Sequence, residues 1–500
     1  MNSYWIESTK DEGNYKTLDT DVSCDVCIIG AGMFGLSTAY YLSKKGLNVI
    51  VLDKANIGTK TSGYTTAKIT SQHGLIYDYL IQSFGADIAK DYLFANEEAI
   101  KNIKEIVNTE KIDCDLVTQS NFVYTTNEDE IDTIKKEVSD VNSLGLNAQF
   151  VTQTLLPFNI CGAIMFPNQA QFHPRKYMLG LCNCVFQNSS QIYTNTLVYD
   201  VKNKNDYYET YTKDYTVKSK YVVLASHYPF INFPGFYFTK MYQETSYIIG
   251  VDTKTGFLDG MYITSSDPTF SFRSAKNGNR NILLIGGVNH KTGADDVTYY
   301  STYDILEQKA KKLYPNCEVL YKWNTRDCIA LDKVPYIGEF SNLMPNMYVG
   351  TGFNKWGMTS TNVAANIITD KILGIKNKYE TVFTSTRLKP LKNIEEIKNM
   401  VKQTVTSLVV DKLKLPDETI SSIKKDSGTI VEIDGIKIGI YKDNSDNLFA
   451  VAPTCTHLGC LLVWNNIDKT WDCPCHGSRF DYKGKNIYDP AFKNLKTYYL

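Results

Sequence analysis

The sequence predicts an α/β protein with a distinct domain at its C-terminal end, and three observations carry that expectation. Residues Asp25-Val26-Cys27-Ile28-Ile29 form a short apolar run that enters the glycine loop Gly30-Ala31-Gly32-Met33-Phe34-Gly35, as a buried parallel strand does. A second array of strand, glycines and helix start follows far downstream, Tyr348-Val349-Gly350-Thr351-Gly352-Phe353-Asn354-Lys355-Trp356-Gly357-Met358-Thr359. Near the end stand two cysteine–histidine boxes, Cys455-Thr456-His457-Leu458-Gly459-Cys460 and Cys473-Pro474-Cys475-His476-Gly477-Ser478.

The first array has the parts of a dinucleotide cradle. After the loop a helix-like stretch runs through Leu42 and is closed by Lys44-Lys45-Gly46, cations and a glycine at a helix C-terminus. Val49-Ile50-Val51-Leu52-Asp53 then reads as a second strand ending in an acid. Gly30 allows the tight turn, Gly32 lets the backbone approach a pyrophosphate, and Gly35 lets helix pack on strand. The helix N-terminus offers free N–H groups to phosphate, and Asp53 is placed for ribose hydroxyls.

The boxes specify a metal centre. Cys-x-His, then fifteen residues, then Cys-x-x-His is the ligand spacing of a Rieske [2Fe–2S] cluster, with thiolates on one iron and imidazoles on the other. The ligands are Cys455, His457, Cys473 and His476. A structural zinc site would use Cys-x-x-Cys knuckles instead. The resemblance to the Rieske family covers about residues 407–500, where 429–433 and 436–441 read as strands, and implies an all-β domain. As in the Rieske proteins of cytochrome bc complexes, it implies a disulfide between Cys460 and Cys475. It also implies that Ser478 donates to a bridging sulfide and that Pro490-Ala491 resembles the loop covering the cluster. Phe480 departs from the tyrosine of high-potential members. Loss of that donor predicts a potential below theirs.

Bulk properties narrow the remaining choices. Five hundred residues suggest roughly three domains. A net charge of −1 gives no electrostatic case for nucleic acid or an anionic membrane. No basic and apolar leader opens the chain, and no apolar run reaches membrane-spanning length. A cytoplasmic protein is expected. Outside the boxes lie Cys24, Cys27, Cys114, Cys161, Cys182, Cys184, Cys317 and Cys328. Cys24 and Cys27, three apart on a strand, point to opposite faces and cannot chelate together.

The remaining segments resemble the D-amino-acid oxidase/glycine oxidase superfamily of FAD enzymes over about residues 22–375. The hydroxyl-rich loop Thr61-Ser62-Gly63-Tyr64-Thr65-Thr66-Ala67-Lys68, the segment Gln171-Phe172-His173-Pro174-Arg175-Lys176-Tyr177, the run Tyr221-Val222-Val223-Leu224-Ala225-Ser226-His227 and Asp332-Lys333-Val334-Pro335-Tyr336-Ile337-Gly338 match its pieces in order. Asp53 stands where most of that family has glutamate. The resemblance implies a discontinuous Rossmann-type FAD-binding domain from residues 22–72, 174–226 and 321–375. It implies a mixed α+β substrate domain from 74–171 and 227–320, with helices at 87–107 and 128–144. A lysine-rich linker with an amphipathic helix, 376–406, would lead to the Rieske domain. FAD contacts are implied for Gly30, Gly32, Met33, Phe34, Gly35, Asp53, Lys54, Ser62, Thr65, Thr66, Val198, Ala225, Gly352, Gly357, Met358 and Thr359.

Flavin and cluster in one chain mean electron transfer, with cofactors carrying the chemistry. The expected activity is an amine or amino-acid dehydrogenase, with electrons leaving through the cluster to an external acceptor. A plain oxidase would leave the cluster without a purpose. A nicotinamide-dependent reductase would need a second nucleotide fold, for which Gly286-Gly287 is too sparse. A Rieske oxygenase would need a mononuclear iron site, and His73, His173, His227 and His290 are too scattered to supply it. An electron carrier or sensor is the remaining alternative. Arg273 and Arg326, with Tyr242, Tyr247 and Tyr262, are candidates to hold a substrate carboxylate, and Lys355 to face the flavin.

Overall fold

The computed structural model describes residues 3–9, 15–254, 258–278, 280–293, 302–387 and 420–499. Its first sheet has the strand order Tyr336–Glu339, Met347–Thr351, Thr216–Leu224, Val22–Ile29, Val49–Leu52, Gln191–Tyr193. The five strands after the first are mutually parallel, and Tyr336–Glu339 is an antiparallel edge. The run Val49–Leu52 is buried at every position, as a strand covered on both faces must be. Helices Met33–Lys44, Pro174–Gln187 and Gly357–Ile372 pack against this sheet, the first lying against the other two. His173 caps the second of them, its side chain accepting from the Lys176 N–H while Pro174 takes the first turn, where no amide is needed.

The second sheet has nine strands, chiefly antiparallel, and includes Met241–Asp252, Phe270–Asn277, Arg280–Lys291 and Gly162–Gln171. Helices Ala86–Thr109 and Ile131–Leu144 accompany it. The strand Glu318–Ala330 pairs along its length with Met241–Asp252, so the segment from 321 to 330 lies in this sheet rather than in the nucleotide-binding one. Lys68–Ile69 likewise pairs with Gly162–Gln171. In both places the long-range ladder, which no local pattern encodes, overrides the expected boundary.

Residues 420–499 form two four-stranded antiparallel sheets, beginning with the hairpin Ser427–Ile433 and Ile436–Lys442. Their core gathers Trp471, Phe480, Leu462 and the box cysteines. The expected linker begins with a helical turn, Glu380–Phe383, whose following residue bridges to Ile337. Arg387 then pairs with Asp332. The amphipathic helix expected further along lies outside the described residues. Among the described residues no helix is long and apolar enough to cross a membrane.

Candidate functional site

A long cavity, about 1420 Å³ including its open mouth, runs along the C-terminal ends of the parallel strands. It is an open, elongated cleft along the strand ends, the place where α/β sheets bind dinucleotides. Its floor is Ile29, Gly30, Ala31, Gly32, Met33 and Phe34, with Asp53 beyond. Gly30 has φ +118°, and a Cβ there would sit 2.4 Å from the Ala225 carbonyl. A Cβ on Gly35 would lie 1.9 Å from the Gly30 oxygen, so helix and loop touch backbone to backbone. The helix starting at Met33 has no side-chain cap. Its Met33 N–H donates to Ser62 Oγ at 3.0 Å, and the Ala31 N–H donates to Asp53 Oδ2 at 2.6 Å. The glycine loop, the helix N-terminus and the acid at the end of the second strand fit an FAD pyrophosphate and ribose.

The cavity is lined by most of the residues expected to hold FAD: Gly30, Gly32, Met33, Phe34, Asp53, Lys54, Ser62, Thr65, Val198, Ala225, Gly357 and Met358. Gly35, Thr66, Gly352 and Thr359 sit behind the lining. Gly352 rests on Ala330 and Met241, and Thr359 donates to the Thr70 carbonyl at 3.0 Å and meets His73 Nε2 at 3.1 Å. Lys355 lines the cavity and forms an ion pair with Glu244 at 2.5 Å.

The two arginine candidates lie elsewhere. Arg273 is buried with its guanidinium donating to the Thr66, Ala67, Phe172 and Ser274 carbonyls, beneath the Trp5 ring. Arg326 sits over the Tyr488 ring at 4.7 Å, donates to Asn324 Oδ1 at 3.1 Å and lies 3.9 Å from Asp468. One is a structural brace and the other faces the C-terminal domain. Of the tyrosines, Tyr242 donates to Glu244 at 3.1 Å, Tyr262 to the Asp259 carbonyl at 2.7 Å, and Tyr247 meets His290 Nε2 at 3.0 Å.

The candidate cluster site draws on both cysteine–histidine boxes. Cys460 and Cys475 are joined by a disulfide. Although the Cys473, Cys460 and Cys475 sulfurs lie within 4.8 Å of one another, the disulfide removes two of them as ligands. That leaves Cys455 and Cys473. The Cys455 thiol is held down to about 7, chiefly by the Cys473 thiol and further by the His457 and Leu458 N–H groups and Ser478, against burial. His457 and His476 lie ring to ring at 5.0 Å. Burial pushes His457 down to about 4, and His476 to about 3 with His457 adding to it. Both imidazoles are therefore neutral, the ligating form. The Nδ1 atom of each is buried with no hydrogen-bond partner. Two orphaned imidazole nitrogens beside two thiols fit a cluster held by two Cys and two His. Ser478 accepts from the Ala491 N–H at 2.9 Å, tying the second box to the covering loop.

The two sites meet. Ile487, Tyr488, Asp489 and Phe492 of the C-terminal domain line the same cavity as the glycine loop. Asp489 pairs with Lys54, Tyr488 bonds Thr61, and Asp468 accepts from Asn324 at 2.8 Å. The His457 Nε2 meets Asn232 Oδ1 at 2.8 Å, Tyr228 stands 6.5 Å from the His457 ring, and Phe238 is edge-on to His476 at 5.9 Å. Close approach is possible because a Cβ on Gly293 would sit 2.6 Å from the Pro474 Cα, and one on Gly477 2.7 Å from the Gln243 side chain. Asp327, His227, Cys328, Asn232 and Tyr488 are the cavity and interface residues that sequence reasoning missed. Apart from His227, which ends a segment matched to the family, they belong to no motif, and strand register and domain docking bring them in.

Comparison with known proteins gives the same two-part division. A family model described as FAD dependent oxidoreductase matches residues 25–371, and one described as Rieske [2Fe-2S] domain matches residues 415–499. A Bacillus subtilis (strain 168) chain, named as a Rieske 2Fe-2S iron-sulfur protein, YhfW, is 36% identical over 497 residues, covering 99% of this chain and 97% of that one. The gamma-glutamylputrescine oxidoreductase of Escherichia coli (strain K12) is 23% identical over 402 residues, covering 76% and 90%. Among solved structures, glycine oxidase from Geobacillus kaustophilus superposes with a TM-score of 0.62 at 19% identity, over 74% of this chain and all of that one.

Proposed function

The chain belongs to the FAD dependent oxidoreductase family and carries a C-terminal Rieske [2Fe-2S] domain, and from that premise we propose that it is an amine or amino-acid dehydrogenase that delivers electrons through the cluster to an external acceptor. FAD held there would supply a hydride acceptor for the substrate C–H, the amine giving its N–H proton to solvent as the imine forms, and a cluster held by the boxes would supply one-electron transfer onward. The observation that carries this reading is the docking of the cluster box on the flavin side. Asn232, Tyr228 and Phe238 of the oxidoreductase part meet His457 and His476, and Tyr488 with Asp489 closes the cavity. The glycine loop and helix amides would hold the pyrophosphate, Asp53 the ribose, and Cys455, His457, Cys473 and His476 the irons. The Tyr488–Phe492 stretch would exclude water from the cavity on that side.

The test is anaerobic rapid mixing of the holoenzyme with amines and amino acids. Flavin bleaching followed by loss of the cluster's visible bands is the expected sequence. Prompt reduction of the flavin by NADH, with no response to any amine or amino acid, would overturn the reading in favour of a reductase.

A further inference from the structure

Glu244 and Asp327 are directly opposite each other on paired antiparallel strands, a placement in which two like charges destabilise the sheet. One cation stands with them, Lys355, whose ammonium is bonded to Glu244 at 2.5 Å. Glu244 is further satisfied by Tyr242 at 3.1 Å and Asn289 at 3.3 Å. Asp327 has no such company: among the described residues no hydrogen bond or direct ion pair reaches its carboxylate. It is half-buried and lines the cavity. Burial raises its pKa to about 6, with Lys355 lowering it and Glu244 raising it, so it is an anion at neutral pH. A half-buried carboxylate with no partner is costly unless something completes it.

The arginines give a second, independent observation. The chain has six, Arg175, Arg273, Arg280, Arg326, Arg387 and Arg479, and none lines the cavity. Arg175 and Arg273 donate to backbone carbonyls, Arg387 holds Asp332, and Arg479 holds Asp468 and Asp472. Arg326 faces the C-terminal domain, and Arg280 is exposed. Of the lysines on the lining, Lys54 is paired with Asp489 and Lys60 bonds the Ile487 carbonyl at 3.3 Å. The bidentate fork that best holds a carboxylate is thus missing from the cavity wall, while a carboxylate without a partner is present.

We infer that the substrate is a cationic amine without a carboxylate, held by Asp327 through its ammonium or a second cationic group. This rests on the dehydrogenase reading and names its substrate class. Lys355, fixed by Glu244, limits the site to one net negative charge and so to one cation.

The test uses two probes that lack a hydrogen on the amine-bearing carbon and cannot be oxidised there, tert-butylamine and 2-methylalanine. Each is titrated into the oxidised holoenzyme while melting temperature and perturbation of the flavin bands are followed. The amine is expected to raise the melting temperature and shift the bands, and the zwitterion to need at least tenfold more ligand. Asp327→Asn should lose about tenfold to a hundredfold of amine affinity, the range for a charge-assisted hydrogen bond. Lys355→Met, which removes the competing cation, should tighten amine binding, and it serves if the first variant does not fold. Tighter binding of 2-methylalanine, or an amine affinity indifferent to both substitutions, would overturn the inference. Flavin reduction by glycine or L-proline but not by isopropylamine would overturn it too, while leaving the dehydrogenase reading intact.

Discussion

Asp327 is a clear case of one residue acquiring its chemistry from its surroundings. Its carboxyl is raised to about 6 by burial. It therefore carries its charge above that pH and loses it as pH falls through 6. Binding of tert-butylamine, which keeps its own charge throughout, is expected to weaken severalfold between pH 8 and pH 5. The neighbours that shape this titration are Lys355, just before the helix Gly357–Ile372, and Glu244 from the paired strand. Titrating at both pH values checks it, and Asp327→Asn should flatten the profile. Arg326 gained a different task from the one its sequence position suggested. Set over Tyr488 and beside Asp468, it should act as a brace between domains. Arg326→Met is expected to destabilise the docked state on the order of 3 kcal/mol, the cost of leaving a buried ionic network without one partner. Denaturant unfolding followed at the cluster bands would register it.

At the scale of elements, the glycine loop and the cluster boxes each act as a unit. The Gly35 Cα faces the Gly30 carbonyl so closely that one methyl group has no room. Gly35→Ala is expected to push the helix from the strand and release FAD, while the Rieske electron paramagnetic resonance signal persists. Flavin content after gel filtration measures this. In the C-terminal domain the Cys460–Cys475 disulfide joins the two cluster loops, a staple of a kind that contributes roughly 2–4 kcal/mol in small domains. Cys460→Ser should still assemble the cluster, because neither cysteine belongs to the proposed ligand set. The cluster should then bleach at a lower temperature than in the parent protein.

For the whole molecule, the C-terminal domain closes one side of the cavity that the glycine loop floors. Gly293 and Gly477 allow the C-terminal domain to lie backbone-close on the second sheet, and Gly293 has φ +75°, where a side chain is doubly disfavoured. Gly293→Val is expected to undock the domains. Both cofactors should remain bound, and the rate of cluster reduction after flavin reduction should fall at least tenfold in rapid mixing. His457→Ala should remove the Rieske signal and leave FAD in place, because the two domains have separate cores.

The motifs that need only neighbours in sequence were legible in the chain alone. A glycine loop between strand and helix, and ligands spaced as Cys-x-His and Cys-x-x-His, are dictated by local turn geometry and metal coordination. They identified the fold class and the two cofactor types, and they point to the cradle and to the four proposed cluster ligands. What the tertiary structure decided depends on register and docking. Whether Arg326 or Asp327 faces the cavity turns on the alternation of a strand whose partner lies some eighty residues away. A shift of one residue would exchange their faces, and composition carries no trace of that choice. The meeting of His457 with Asn232, or of Tyr488 with the FAD cavity, likewise arises from surfaces assembled from distant segments. The chain encoded its cofactors locally; the substrate face and the contact between the two centres exist only once the sheets have paired and the domains have closed on each other.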